Sequence, residues 1–505
     1  MINLSSFVRF HALQDPKRTA IVYGDLRISY AQFHDRIMAA AGFMSKAGIG
    51  AGDAVALLMK NSPAFLDIVF AVSHLGAVFV PINFRLSSDE VRYVLNDANV
   101  RMLFVDEDGF GADSFDIPTI RLSQGAQSDV RRVTGDGYNI KAMKREMSDL
   151  FRLMYTSGTT SHPKGVIHTY ENFYVKCAEH VIVFGLTAQT RLLVAGPLYH
   201  VGAFDLPGIA VLWLGGMLYL QRDSDPASIL AAIEREKLIG GALVPFVTGT
   251  LLNHPERDKF DVSSLEWIVG GGERTPASRI SEFHSYFPNA RYIDCYGLTE
   301  TGSGDAMMVP GFELLKVGSV GRPTPHVEIE IRDDEGNSVE VSHHGEICVR
   351  GPKVTPGYWN DPIKTKESFF GDWLRTGDMG YFDEDGFLFL TDRKKDMIIS
   401  GGENIASSEV ERVIYELPQV EEAVVIGLPD LKWGERPVAI LVLKPGAYLD
   451  LAMLMEHCRK HLASFKVPKE MFIREELPRT ASNKVMKRQL RDEISIEIPI
   501  SSIAS

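Results

Sequence analysis

Tyr155-Thr156-Ser157-Gly158-Thr159-Thr160-Ser161-His162-Pro163-Lys164-Gly165-Val166 crowds hydroxyls, glycines and one lysine into a short loop. A loop of this make-up offers backbone N–H groups, hydroxyl donors and a cation to a polyphosphate. The run before it, Leu150-Phe151-Arg152-Leu153-Met154-Tyr155, and the run after it, Gly165-Val166-Ile167-His168, both read as strands. The predicted unit is therefore strand–loop–strand. That context separates it from a Walker A loop, which puts a glycine directly before the lysine and a helix directly after it. Here Pro163 precedes Lys164, and the next helical pattern starts near Thr169. By composition alone the loop is equally a Ser/Thr/Gly turn of a surface hairpin, so its meaning depends on the rest of the chain.

Working outward, the first half alternates helical and extended patterns. Residues 30–47 carry apolar side chains at helical spacing (Phe33, Ile37, Ala40, Phe43, Met44), and Ala54-Val55-Ala56-Leu57-Leu58-Met59 is a continuous apolar run that reads as a buried strand. Residues 63–75 and 229–236 are again helical, and 77–81 and 241–244 again extended. Such alternation predicts an α/β architecture with largely parallel sheets. From 318 to about 390 the texture changes to short alternating strands such as Val327-Glu328-Ile329-Glu330-Ile331, separated by Gly, Pro and Asp turns, which predicts a small antiparallel β module. A charged run, Asp392-Arg393-Lys394-Lys395-Asp396, then interrupts the pattern. Beyond it residues 408–416 and 451–462 are helical and 420–428 and 438–443 extended, a compact α+β segment of its own. The expected division is 1–394 and 395–505, and no repeat of solenoid length is visible.

The bulk numbers bound the function. At 505 residues the chain is too long for one core. A formal net charge of −13 argues against a nucleic-acid footprint or an anionic membrane surface. Cys177, Cys295, Cys348 and Cys458 are far apart and form no CxxC pair, so neither a disulfide framework nor a zinc site is indicated. The N-terminus lacks a signal-peptide pattern, and the most apolar stretch, 206–220, is too short to span a bilayer and holds three glycines. A cytoplasmic protein is expected, with Ile503-Ala504-Ser505 giving no peroxisomal signal.

Four further motifs are individually weak. Asp294-Cys295-Tyr296-Gly297-Leu298-Thr299-Glu300-Thr301 runs a strand into a glycine turn carrying a hydroxyl and a carboxylate, groups suited to a phosphate oxygen and to Mg²⁺; alone, it reads as a capped strand end. Trp373-Leu374-Arg375-Thr376-Gly377-Asp378 offers one carboxylate, which can accept from both hydroxyls of a ribose, yet turn aspartates are common. Asp392 to Asn404 joins a charged linker to the Gly401-Gly402 turn, and Leu477-Pro478-Arg479-Thr480-Ala481-Ser482-Asn483-Lys484 places one lysine in a polar loop.

In this order, together with the first loop, the motifs resemble those of the adenylate-forming superfamily of acyl-CoA synthetases, carrier-loading adenylation domains and luciferases, most closely its acyl- and aryl-CoA synthetase branch. The resemblance covers about residues 4–490 and implies a large N-terminal ATP- and acyl-binding domain of α/β subdomains with a small β module, and a small mobile α+β C-terminal domain. It implies that Thr156, Ser157, Gly158, Thr159, Thr160, Ser161 and Lys164 hold the β- and γ-phosphates. Gly271, Gly272, Glu273, Asp294, Cys295, Tyr296 and Gly297 would surround the adenine. Thr299 would touch the α-phosphate, Glu300 would ligate Mg²⁺, and Asp378 and Arg393 would bind the ribose. Lys484 would bridge the substrate carboxylate and the α-phosphate. His200, in Pro197-Leu198-Tyr199-His200-Val201-Gly202, would stand with Val201, Phe204, Gly270 and Cys295 in the acyl pocket. Gly401, Gly402, Trp433 and Lys466 would lie near CoA, and Lys395 at the hinge. Gly318 to Pro323 and Gly345 to Pro352 match motifs of a structural kind.

The chain departs from the family pattern at Ser161 and Cys295, which stand for glycine, at Tyr170 for histidine, at Ser407 for proline and at Asn483 for glycine. Asparagine tolerates left-handed backbone, so the loop before Lys484 survives the exchange. Cys295 puts acyl selectivity in question.

The implied activity is ATP-dependent carboxylate–CoA ligation through acyl-AMP, with ATP, Mg²⁺ and coenzyme A. The pocket segments that the resemblance implies, Val201 to Phe204 and Gly270 to Gly272, are marked by no charged residue, so a medium-chain or aryl-substituted hydrophobic acid is expected. Partners are small molecules, with no nucleic acid; a homodimer is left open. The alternatives are an acyl-AMP ligase that loads a carrier protein and a non-catalytic nucleotide-binding protein.

Overall fold

The computed structural model describes residues 3–106, 115–122, 140–156, 163–271, 275, 277–393, 396–400, 403–430, 433–479 and 485–497, and leaves the side chains of 392, 393, 399, 403, 404, 496 and 497 undescribed. The chain forms two compact units, 1–329 with 349–374, and 330–348 with 375–505.

Two sheets build the first unit. In the six-stranded sheet the order is Thr119–Leu122, Val100–Asp106, Ala54–Leu58, Val78–Pro81, Leu150–Thr156, Lys164–Thr169. All pairs are parallel except the last, which is antiparallel. Every residue of Ala54–Leu58 is buried, as a parallel strand covered on both faces requires. The neighbouring helix Pro63–Leu75 starts at the Ser62 cap with proline in its first turn. It ends at Gly76, whose φ of 70° is left-handed and suits a residue without Cβ.

The nine-stranded sheet runs Arg322–Pro323, Ala306–Met307, Arg291–Tyr296, Trp267–Gly271, Gly240–Ala242, Arg191–Val194, Met217–Leu220, Thr19–Tyr23, Leu26–Ser29. Its inner pairs are parallel and its edge pairs antiparallel. The expected α/β class with largely parallel sheets is therefore the observed one, as is a small α+β C-terminal domain. The apolar stretch 206–220 is not one element. It breaks into helical turns ending at Trp213 and the buried strand Met217–Leu220. Among the described residues no helix is long and apolar enough to cross a membrane.

The first unit also buries a system of opposed charges. Arg152 and Lys176 both reach Asp205, at 2.8 and 2.5 Å. Lys353 reaches Glu179 at 2.8 Å and Asp305 at 3.1 Å. Thr324 donates to the same Glu179 oxygen at 2.9 Å, and Thr301 donates to Asp305 at 2.6 Å. Buried ions persist only when paired and hydrogen-bonded, and each cation here has its carboxylate.

In the second unit, Gly434–Leu443 pairs with Val420–Asp430 and Ile398–Ser400 antiparallel and with Glu470–Ile473 parallel. The period of two along the long strand sorts its side chains into two cores. Ala423 and Val425 pack with Val410, Val413, Leu454 and Cys458 of the helices Ser407–Ile414 and Leu451–His461. Val424 and Ile426 pack with Leu490 and Ile494 of Lys487–Glu497. This sheet thus has a helix layer on each face.

Candidate active site

The two runs flanking the opening loop fold as the strands their apolar patterns predict. Leu150–Thr156 and Lys164–Thr169 are antiparallel, with Tyr155 opposite Gly165 and Thr156 opposite Lys164. The helix Tyr170–Phe184 follows with Thr169 as its cap. Ser157, Gly158, Thr159, Thr160 and Ser161 lie outside the described residues. Gly165 sits in a tight place: a Cβ there would lie 3.0 Å from the Tyr155 ring and 3.2 Å from Trp359, so a neighbour would have to give by a few tenths of an ångström. Tyr155 in turn donates to Asp97 at 2.5 Å. At the base of the hairpin the Lys164 ammonium stands 5.6 Å from the Tyr358 ring centroid. Burial pulls its pKa down and Lys364 adds to this, against the pull of Asp361 and Glu300.

Thr299 and Glu300 sit in a short 3-10 turn, Thr299–Thr301, that follows the strand Arg291–Tyr296. Three contacts fix this turn. His168 Nε2 donates to the Thr299 carbonyl at 2.7 Å, the Thr355 N–H donates to the Glu300 carbonyl at 2.7 Å, and the Tyr358 hydroxyl donates to Glu300 Oε1 at 2.9 Å. His168 Nδ1 accepts from Arg152 Nε at 2.9 Å, which leaves the proton on Nε2. Burial, helped by Arg152, pushes the imidazole down to about 3, so it is neutral. Burial would raise the Asp205 carboxyl, but Arg152 and Lys176 overcome it and hold the group down at about 2. The turn is thus tied through a neutral histidine to the buried ion cluster.

Asp294, Cys295, Tyr296 and Gly297 lie at the end of the same strand or just beyond it, with Asp294 opposite Gly270 and Cys295 opposite Gly271. The glycines are sterically required. A Cβ on Gly270 would stand 2.0 Å from the Tyr292 hydroxyl, and one on Gly271 2.9 Å from the Cys295 carbonyl. A Cβ on Gly297 would meet the Gly304 nitrogen at 2.4 Å. Asp294 accepts from Thr275 at 3.0 Å. Cys295 is buried, and burial first, then Asp305, raises its thiol pKa, so it is an unreactive apolar group. Gly272 and Glu273 lie outside the described residues.

His200 caps the turn Val201–Ala203, its Nδ1 accepting from the Gly202 N–H at 3.2 Å. Val201 is buried, and Phe204 is fully so. The Phe204 ring lies 5.7 Å from Phe79 and 6.4 Å from Phe173, with the Arg152 guanidinium 5.5 Å from its centroid.

In the second unit Asp378 is buried on the strand Trp373–Phe382, with Arg393 opposite in register; the Arg393 side chain is outside the description. Gly377 before it has a φ of 72° and donates its N–H to Glu346 at 3.1 Å. Lys466 Nζ is held by both Glu409 oxygens at 2.6 and 2.8 Å. Trp433 is 48% exposed. Lys395, Gly401, Gly402 and Lys484 lie outside the described residues. Among the described residues one cluster, Glu416, His457 and His461, has side chains that could ligate a metal. There Glu416 pairs with Arg412 at 3.2 Å and His457 Nε2 is spent on the Val413 carbonyl at 2.9 Å.

Sequence reasoning missed Tyr358, His168 and Arg152. A signal was present for two of them: Arg152 and His168 interrupt apolar strand runs, where a charge or an imidazole needs a buried partner.

Residues 8–359 match the family "AMP-binding enzyme" and residues 409–484 its "C-terminal domain". The chain is 33% identical to the long-chain-fatty-acid–CoA ligase FadD13 of Mycobacterium tuberculosis (strain ATCC 25618 / H37Rv), over 99% of this chain and 100% of that protein. It is 34% identical to a feruloyl-CoA synthase of Amycolatopsis sp, over 97% and 98% of the two chains. The structure of o-succinylbenzoate CoA synthetase (MenE) from Bacillus subtilis, in complex with the acyl-adenylate intermediate OSB-AMP, matches with a TM-score of 0.87 and 33% identity, over 96% of this chain and 98% of that one. The chain belongs to the AMP-binding enzymes, the adenylate-forming superfamily. Its class is that of the AMP-forming acid–thiol ligases.

Proposed function

We propose that this ligase joins a hydrophobic carboxylic acid, medium-chain or aryl-substituted, to coenzyme A at the expense of ATP. The carboxylate attacks the α-phosphorus, the bond to the β-phosphate oxygen breaks, and pyrophosphate leaves with the electron pair. The CoA thiol, losing its proton, then attacks the acyl carbonyl, and AMP leaves. The first step brings two anions together, so it needs charge stabilisation and alignment more than covalent help. The observation that carries this reading is the convergence of Lys164 and Glu300 on Tyr358.

In this reading Lys164, with Thr156 and the loop after it, holds the β- and γ-phosphates, and Thr299 touches the α-phosphate. Asp294, Tyr296 and Gly271 frame the adenine. Asp378 and Arg393 serve the ribose, and Lys484 the reacting anions. Lys466 and Trp433 serve CoA. Glu300 suits Mg²⁺: it is a hard oxygen donor, and among the described residues no donor reaches its second carboxylate oxygen. The ion, when bound there, neutralises charge on the phosphates. A relative that forms long-chain acyl-CoA and one that forms feruloyl-CoA both support an apolar acid.

The reading is tested by acid-dependent exchange of labelled pyrophosphate into ATP without CoA. Exchange that requires the acid is expected. Exchange independent of every acid in an aliphatic and aryl panel would refute it.

Cys295 supplies a substrate prediction. Its Cβ lies 3.7 Å from where a Cβ on Gly271 would be, so its side chain fills space on that wall. Cys295→Gly is expected to admit longer or bulkier acids, worth about 1–3 kcal/mol per methylene accommodated. Specificity constants over a homologous acid series check this. A flat acid profile with a raised KM for ATP would assign Cys295 to the nucleotide wall instead.

A further inference from the structure

Tyr358 touches both groups that the proposed function gives to the phosphates and the metal, and nothing above assigns it a role of its own. Its main chain leaves it little freedom. Tyr358 bridges to Val166 of the Lys164–Thr169 strand, its N–H donates to Thr365 Oγ1 at 2.9 Å, and the next N–H, of Trp359, donates to the Gly165 carbonyl at 2.7 Å. The ring is therefore mounted on the hairpin that carries Lys164. From that mount the hydroxyl reaches across to a different segment, the turn after the Arg291–Tyr296 strand, and donates to Glu300 Oε1 at 2.9 Å. The ring face meets the Lys164 ammonium at 5.6 Å, within cation–π range.

We propose that Tyr358 is a positioning residue with two separable functions: its hydroxyl orients the Glu300 carboxylate for the divalent ion, and its ring holds the Lys164 ammonium for the nucleotide. An exposed glutamate rotates freely and must be ordered when a metal binds. A donor fixed on one oxygen removes that freedom and presents the other oxygen. Partners of this kind behind a metal ligand typically alter affinity by about 10–100-fold. The inference rests on the assignment of Glu300 to the ion, so the test has to separate the two.

The full-length protein, its Tyr358→Phe, Tyr358→Leu and Glu300→Gln variants, and the double variant that combines Tyr358→Phe with Glu300→Gln, are compared by Mn²⁺ electron paramagnetic resonance. Mn²⁺ is the probe, with α,β-methylene-ATP as a nucleotide that is not turned over. Metal-free binding of the same nucleotide is measured alongside. Tyr358→Phe keeps the ring, so it should weaken Mn²⁺ by about 10–100-fold while metal-free nucleotide affinity and melting temperature stay at parent values. Tyr358→Leu should weaken both ligands. The double variant should bind Mn²⁺ no more weakly than Glu300→Gln alone, because the hydroxyl acts only through that carboxylate. Parent-like Mn²⁺ affinity in Tyr358→Phe, with Glu300→Gln weakened, overturns the role of Tyr358 and leaves Glu300 in place. Parent-like affinity in Glu300→Gln overturns the metal assignment itself. Equal loss of Mn²⁺ and metal-free nucleotide in Tyr358→Phe reduces the tyrosine to a general brace and also overturns the proposal.

Discussion

Glu300→Gln is expected to slow acyl-adenylate formation by about 10²–10³-fold, the usual cost of losing one preorganised electrostatic group, and to leave thioester formation from supplied acyl-AMP largely intact. The asymmetry follows from the charges. Only the first half-reaction expels pyrophosphate, so only there does a carboxylate that holds a divalent ion act on the transition state. An amide has the same shape but is a poor ligand for a hard cation. The Tyr358 hydroxyl can still donate to the amide oxygen, so the turn should keep its place. The two half-reactions are assayed separately, each with a Mg²⁺ titration. An equal fall in both, or a Mg²⁺ optimum identical to the parent's, would contradict the role given to Glu300.

Lys353→Met is expected to cost about 3–5 kcal/mol of stability, the penalty for stranding a buried charge. Lys353 Nζ bonds Glu179 and the carbonyls of Ser303 and Gly304, at 2.8, 3.2 and 2.8 Å, and its side chain is wholly buried. Without it two carboxylates remain in the interior. Even with Lys353 present, burial raises Glu179 to about 7 and raises Asp305 as well. A carboxyl whose pKa is raised on folding favours the folded state below its unfolded pKa and loses that advantage as pH climbs through its folded one. For Glu179 the window runs from the ordinary 4.5 to about 7. Removing the ammonium pushes both folded values higher. The deficit relative to the parent should therefore be greatest under alkaline conditions, and the Glu179 part of it should shrink as pH falls from the variant's higher value to the parent's value of about 7 and change no further below that. Denaturant unfolding at several pH values measures it. A variant within about 0.5 kcal/mol of the parent at alkaline pH, the range of inert surface changes, would show that the cluster is not what secures this region.

Much of this was legible because local chemistry announces itself. Pro163 before Lys164 excluded one phosphate loop, and the apolar runs on either side announced the two strands that the structure pairs antiparallel. Ser62 and Gly76 mark the ends of a helix read at 63–75. The extended reading of 420–428 matches the strand Val420–Asp430, but the core on each of its faces was not foreseen. Apart from Arg152, which interrupts an apolar strand run, the buried ion system was not legible. Arg152, Lys176, Asp205, Glu179, Asp305 and Lys353 stand at no common period, and opposite charges meet there only because separate elements pack together. Tyr358 escaped notice for a related reason, since its ring belongs to one hairpin and its hydroxyl to the site of another segment. The two-residue edge strands Ala306–Met307 and Arg322–Pro323 are too short to show any periodicity.

The central claim, that one chain performs both adenylation and thiol ligation on a hydrophobic acid, is tested most directly by product stoichiometry. The purified protein is given ATP, Mg²⁺, CoA and each member of a panel of aliphatic and aryl acids, and AMP, pyrophosphate and acyl-CoA are quantified together. The account predicts that all three appear in equal amounts and only with the acid. AMP without acyl-CoA, or acyl-CoA formation accompanied by ADP and phosphate, would contradict it.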